Sequence, residues 1–185
     1  MGGKNPYVVM EDADLADAAQ KIVYGAFGHA GQKCIASSLA IVVESVYDEL
    51  LEEIRRATEA ITVGDPMEDD AIIGPVVNKS QCEGILEVIE TANEDGRVVL
   101  DAGTTSNEVD GFYISTVIVA DVDNSSETAQ EEIFGPVLAM IKSRDFDEAV
   151  RSPTTPITGS PSASPPNFCT TRTSWPPTLS GGWLM

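Results

Sequence analysis

The sequence predicts an α/β fold, a mostly parallel sheet with flanking helices, on three observations. Some stretches place apolar residues at helical spacing, others are short runs of aliphatic and β-branched residues, and the two kinds alternate along the chain. An apolar content of 42% over 185 residues suits a packed core, either one domain or part of a larger one.

The elements follow in order. Leu15, Ala18, Ile22 and Ala26 recur at helical spacing behind the acidic stretch EDAD (11–14), and LAIVVE (39–44) reads as a buried strand. Ser45, with Asp48 three residues on, resembles a capping box for a helix carrying Leu50, Leu51, Ile54, Ala57 and Ile61 on one side. A further helix is expected from about Ser80 to Asp95. Strands are then expected at RVVL (97–100), FYISTVIVA (112–120) and VLAMI (137–141). Strands alternating with helices imply a largely parallel sheet covered on both faces.

The chain changes character near residue 150. All 30 carboxylates lie at or before Glu148, whereas 152–185 holds none and carries seven of the eleven prolines among serines and threonines. The division expected is therefore a folded unit over 1–150 and a Pro/Ser/Thr-rich tail over 151–185. The tail shows neither periodicity and is expected to be poorly ordered, its prolines forbidding a continuous helix or a central strand.

Thirty acidic residues against eleven basic ones give a formal charge of −19, which argues against nucleic-acid or anionic-membrane partners. Such a surface suits a high-salt, halophilic cytoplasm, where counterions screen the self-repulsion; an ordinary acidic protein is the alternative. Three scattered cysteines are too few for a disulfide framework or a metal site and point to a reducing, cytoplasmic location. No apolar run approaches the ~18 residues that span a bilayer, and no signal peptide is expected.

Two stretches carry candidate chemistry. In AGQKCIASS (30–38), Lys33 would supply positive charge to Cys34, while Gly28 and Gly31 would allow a tight turn that exposes the sulfur. Cys34 is either a nucleophile or a small buried hydrophobe, and His29 a base or a structural residue. Cys82 sits at core spacing with Ile85, Leu86 and Ile89; Cys169 lies in the tail without an evident partner. In EEIFGP (131–136), Gly-Pro would set a corner presenting Glu132 and Phe134 to a ribose hydroxyl pair and a flat ring. A strand entry with a buried Phe is the other reading.

Taken together, GGKNPYVVMEDADL (2–15), GQKCIASS (31–38), VGDP (63–66), GP (74–75), GFYI (111–114) and AQEEIFGPV (129–137) resemble, in order, the catalytic-domain motifs of the aldehyde dehydrogenase superfamily. The resemblance covers residues 2 to about 150. It implies part of that catalytic domain, and an oxidoreductase that oxidises an aldehyde to a carboxylic acid or thioester with NAD or NADP as hydride acceptor. It further implies Cys34 as the nucleophile forming a thiohemiacetal, its backbone N–H as an oxyanion donor, and Glu132 and Phe134 as the residues holding the nicotinamide ribose and ring. The family is homo-oligomeric, and semialdehydes and aliphatic aldehydes are equally compatible substrates.

The sequence also departs from the pattern. The family reads Glu, one residue, then Gly-Gly-Lys; here Met1 stands in the intervening place and no glutamate precedes it. Nothing in the chain resembles the family's Rossmann-type domain or its oxyanion asparagine, and Leu39 stands where an arginine is frequent. If the Ser152 codon ends in G and residues 153–161 use suitable synonymous codons, reading from that G gives Ala-Asn-Asp-Thr-Asp-Tyr-Gly-Leu-Thr, which resembles the family's continuation and is the ground for expecting a frameshift near Ser152. The expectation is a truncated, inactive fragment. The alternative is a non-enzymatic remnant that associates with intact relatives or has no function.

Overall fold

A computed structural model describes residues 3–101, 111–151 and 167–169. Strands β1 (Pro6–Val9), β2 (Leu39–Val43), β3 (Arg97–Asp101), β4 (Val117–Ala120), β5 (Val137–Ser143) and β6 (Asn167–Cys169) form one sheet in the order β3-β4-β5-β2-β1-β6. Neighbours are parallel except β3 and β4, so the mostly parallel α/β architecture expected is the one observed. Every residue of β1, β2 and β4 is buried, and all of β5 except Lys142. Apart from Lys142 and Ser143 at the end of β5, these strands are therefore apolar instead of alternating, as strands covered on both faces must be.

Helix α1 (Leu15–Phe27) starts where the Asp14 carboxylate accepts the Asp17 N–H at 3.1 Å, and it buries Ala18, Ile22, Ala26 and Phe27. It packs on α2 (Glu44–Glu59), which buries Tyr47, Leu50, Leu51 and Ile54. Helix α3 (Lys79–Asp95) is capped by Asn78, whose side chain accepts the Gln81 N–H at 2.9 Å. It packs with α4 (Glu127–Gln130) against β3 and β4, and α5 (Phe146–Arg151) follows β5.

Three local expectations are corrected and one element is added. No capping box opens α2: Val43, the last residue of β2, is its cap, so Ser45 already lies in the first turn and Asp48 instead faces Lys142 at 3.8 Å. Strand β4 begins at Val117, not Phe112, because Val117 is the first residue with partners on both sides, Asp101 and Val137. Pro6–Val9, left without an element by the sequence reading, is a strand between β2 and β6. Within the tail, Asn167–Cys169 pairs with β1 as an edge strand, where backbone groups alone suffice for pairing; the rest of the tail lies outside the described residues.

At the C-terminal ends of β4 and β5, the Tyr47 hydroxyl accepts the Asp121 N–H at 2.8 Å. Asp121, at φ 58°, pairs with Arg97 and Lys142 at 3.0 and 3.1 Å. Burial pushes the Tyr47 phenol up to about 12.

Candidate active site

The candidate residues gather because of strand order. Strands β5, β2 and β1 are adjacent and parallel, with Ala139 opposite Leu39 and Leu39 opposite Pro6. The segments entering them, Glu131–Pro136, Gln32–Ser38 and Lys4–Asn5, therefore lie side by side at one end of the sheet. This is the N-terminal end of the strands.

The Cys34 segment is shaped from the backbone outward. After α1, His29, Ala30 and Gly31 all adopt left-handed φ values of 56°, 55° and 69°, a run that reverses the chain sharply. The Gln32 N–H returns to the His29 carbonyl at 3.0 Å, and Ala36 N–H closes a turn on Lys33 at 3.0 Å with Cys34 inside it. The buried Asn5 side chain then donates to the carbonyls of Cys34 and Ala36 at 2.9 and 3.0 Å. Cys34 is exposed, and its own N–H meets no acceptor among the described residues.

The Glu132 segment is held against it. A Cβ on Gly31 would sit 2.1 Å from the Gly135 carbonyl oxygen, and one on Gly135 would sit 2.5 Å from the Ile85 side chain. Both glycines are required by contact, and Gly31 also by its φ. The Gln81 amide donates to the carbonyls of Ile133 and Phe134 at 3.0 and 3.4 Å, while Gln32 accepts the Val77 N–H at 3.1 Å. The start of α3 thus ties both segments together.

Phe134 holds φ 53° and stays 36% exposed, which rules out the buried-Phe reading. A bulky residue in the left-handed region is an outlier of the kind that clusters at ligand sites. Glu132 is exposed beside it.

Lys33 takes a different role from the one its position suggests. Its ammonium sits over the Tyr24 ring, 5.2 Å from the centroid. Gly28, at φ −54°, is not needed for the turn but leaves room for that ammonium, 3.3 Å from where its Cβ would be. His29 is exposed and contributes its carbonyl. Cys82 packs half-buried against the core, and burial with the neighbouring Glu83 pushes its thiol up, consistent with packing and not attack.

Comparison with known proteins decides the family. The model of the aldehyde dehydrogenase family matches residues 1–153. The chain belongs to the aldehyde dehydrogenase family. It is 46% identical over 150 residues to a 1-pyrroline-5-carboxylate dehydrogenase of Geobacillus kaustophilus, covering 81% of this chain and 29% of that protein. A Bacillus subtilis enzyme of the same name is 44% identical over 147 residues, covering 80% of this chain and 28% of its own length. The chain thus spans less than a third of the curated relatives it matches. Among solved structures, a 1-pyrroline-5-carboxylate dehydrogenase from Thermus with bound NAD superposes with a TM-score of 0.84 at 34% identity, covering 94% of this chain and 32% of that one. A 3,6-anhydro-L-galactose dehydrogenase in complex with NADP gives 0.84 at 31%, covering 93% and 36%.

For an aldehyde dehydrogenase chain, the sequence reading misses the supporting residues Lys4, Asn5 and Gln81. Lys4 and Asn5 stand within a block the resemblance already marks, directly before an apolar run. Gln81 carries no local signal, since its role exists only once α3 meets the Phe134 corner. Among the described residues there is no helix long and apolar enough to cross a membrane, and no group of three or more His, Cys, Asp or Glu that could hold a metal ion.

Proposed function

We propose that this chain, expected from its sequence to be an inactive fragment, nonetheless carries the nucleophile and the nicotinamide-ribose face of an aldehyde dehydrogenase site and oxidises an aldehyde to a carboxylic acid with NAD or NADP. The observation that carries the reading is the contact of Gly31 with Gly135, which sets an exposed thiol on a fixed turn beside the outward Glu132 and Phe134.

The residues fit the cofactor. An exposed carboxylate can accept both hydroxyls of a ribose, and a strained, half-exposed ring offers a flat apolar face. When bound, the cofactor supplies a hydride acceptor. The Cys34 thiolate attacks the aldehyde carbon, forming a C–S bond and an oxyanion that the free Cys34 N–H can hold. Loss of hydride from that carbon leaves a thioester on Cys34. Water then cleaves the C–S bond, releasing the acid and restoring the thiol. Asn5 fixes the Cys34 carbonyl, and with it the direction of the neighbouring N–H groups.

The relatives' names direct the substrate proposal to the amino-acid semialdehyde produced when a pyrroline carboxylate imine is hydrolysed. A cytoplasmic setting, a salt-adapted surface and homo-oligomeric assembly belong to the same reading. To test it, the chain is incubated with that semialdehyde and NAD, quenched in acid and digested. An acyl adduct on the Cys34 peptide is expected; an adduct on Cys82 alone, or none, overturns the reading.

A second reading, association with an intact relative without turnover, is favoured by the exposed apolar side chains around the site. Ile35 is 75% exposed and Val77 73%. Co-purification of tagged chain with a full-length relative, lost on Ile35→Ser with Val77→Ser, supports it.

A further inference from the structure

Asp95 occupies an unfavourable place in its own helix. It is the last residue of α3, at the negative end of the helix dipole, and no basic residue in that turn offsets its charge. Its carboxylate instead reaches across to a residue 33 positions further along the chain. One oxygen, Oδ2, accepts both the Thr128 backbone N–H at 2.7 Å and the Thr128 hydroxyl at 2.5 Å. Thr128 is buried, so its two donors depend on that oxygen.

What this clasp holds runs directly into the Phe134 corner. Thr128 lies in α4, where the N–H groups of Gln130 and Glu131 return to the carbonyls of Ser126 and Glu127 at 3.1 and 2.8 Å. The backbone is thus fixed from Thr128 as far as Glu131. Beyond it, Gln81 in the first turn of α3 donates to the carbonyls of Ile133 and Phe134 at 3.0 and 3.4 Å. One helix therefore grips the segment from both of its own ends, and Glu132 is the single residue between the two anchorages.

We propose that Asp95 is a positioning residue for Glu132: by clasping Thr128 it fixes the path of the chain into Glu132, so that the exposed carboxylate meets the vicinal diol of a nicotinamide ribose. This rests on the ribose-holding role proposed above for Glu132. Asp95 itself meets no ligand and serves only through α4. An exposed side chain on a loose backbone would lose conformational freedom on gripping two hydroxyls, whereas one held between two anchorages has lost most of it beforehand.

NMR titration of NAD into the whole chain gives its affinity for the wild type, D95A, D95N, T128V, E132Q and D95A combined with E132Q. D95A is expected to bind NAD about tenfold more weakly. D95N, whose amide oxygen can still accept both Thr128 donors, is expected to recover most of that loss. T128V removes the hydroxyl with little change of shape and is expected to bind about threefold more weakly. Added to E132Q, D95A is expected to cost almost nothing more, because the residue it positions is already lost. NAD binding unchanged in D95A, or in T128V where D95A does not fold, overturns the inference. So does D95A costing the same factor with E132Q as with Glu132 in place, the mark of a clasp that serves only the fold. A wild type that binds no NAD, or E132Q binding it as the wild type does, instead removes the ribose reading on which the inference stands.

Discussion

Gly31 and Gly135 meet backbone to backbone, so closely that a single Cβ on Gly31 would lie 2.1 Å from the Gly135 carbonyl oxygen and 3.1 Å from that of Ala26. This contact joins the nucleophile's turn to the Phe134 corner. Neither segment could drift from the other without breaking that backbone contact.

Gly31→Ala is therefore expected to destabilise the chain by about 2–4 kcal/mol, from a left-handed φ and a backbone clash together. Gly84→Ala is the control: it lies in α3 with nothing within 4 Å, and is expected to be neutral or stabilising by about 0.5–1 kcal/mol. Urea denaturation of both variants separates local backbone strain from a general effect of losing glycine.

Asn5→Ala leaves the Cys34 and Ala36 carbonyls without their donor. A loss of about 1–3 kcal/mol is expected. The sharper readout is local: hydrogen exchange at residues 33–37 should accelerate while that of β4 and β5 is unchanged. Uniform acceleration would mean that Asn5 serves the fold and not the turn.

Lys4 makes stability depend on pH in a direction that can be stated in advance. Its folded value of about 8 lies below the ordinary 10.5. Below pH 8 it is charged both folded and unfolded, and the burial penalty is complete. Between pH 8 and 10.5 the folded chain sheds the proton first, so stability rises, by up to about 3 kcal/mol. K4M is expected to be more stable than the wild type at pH 7, with the gap closing by pH 10.5. A gap independent of pH would contradict this.

Tyr47 acts in the opposite sense. Its phenol is held up at about 12, so above pH 10 the unfolded chain ionises first and stability falls with rising pH. Tyr47→Phe removes that alkaline loss. It also leaves the Asp121 N–H without its acceptor, which is expected to cost about 1–2 kcal/mol at pH 7.

The blocks around Cys34 and around Glu132 and Phe134 are legible in the sequence because each is local: a few residues of distinctive type in fixed order. What joins them is not local. It depends on β5, β2 and β1 being neighbours in register, and Pro6–Val9 is too short, with a proline in its first place, to declare itself a strand. Nothing local to Lys4 signals its burial, which follows from β1 being placed between β2 and β6. The Lys33 charge shows the converse error, since adjacency to Cys34 in sequence does not decide where a long side chain goes. Likewise Ser45 and Asp48 have the spacing of a cap, but β2 runs into α2 without the loop residue a cap needs.

The central claim is that an aldehyde held on Cys34 passes hydride to a cofactor seated at Glu132 and Phe134. The most direct measurement follows reduced nicotinamide on mixing the chain with NAD and the semialdehyde, for the wild type, C34A and C82A. The account predicts aldehyde-dependent cofactor reduction that is lost in C34A and kept in C82A. Reduction by C34A at the wild-type rate, or none by a wild type that binds NAD, would contradict it.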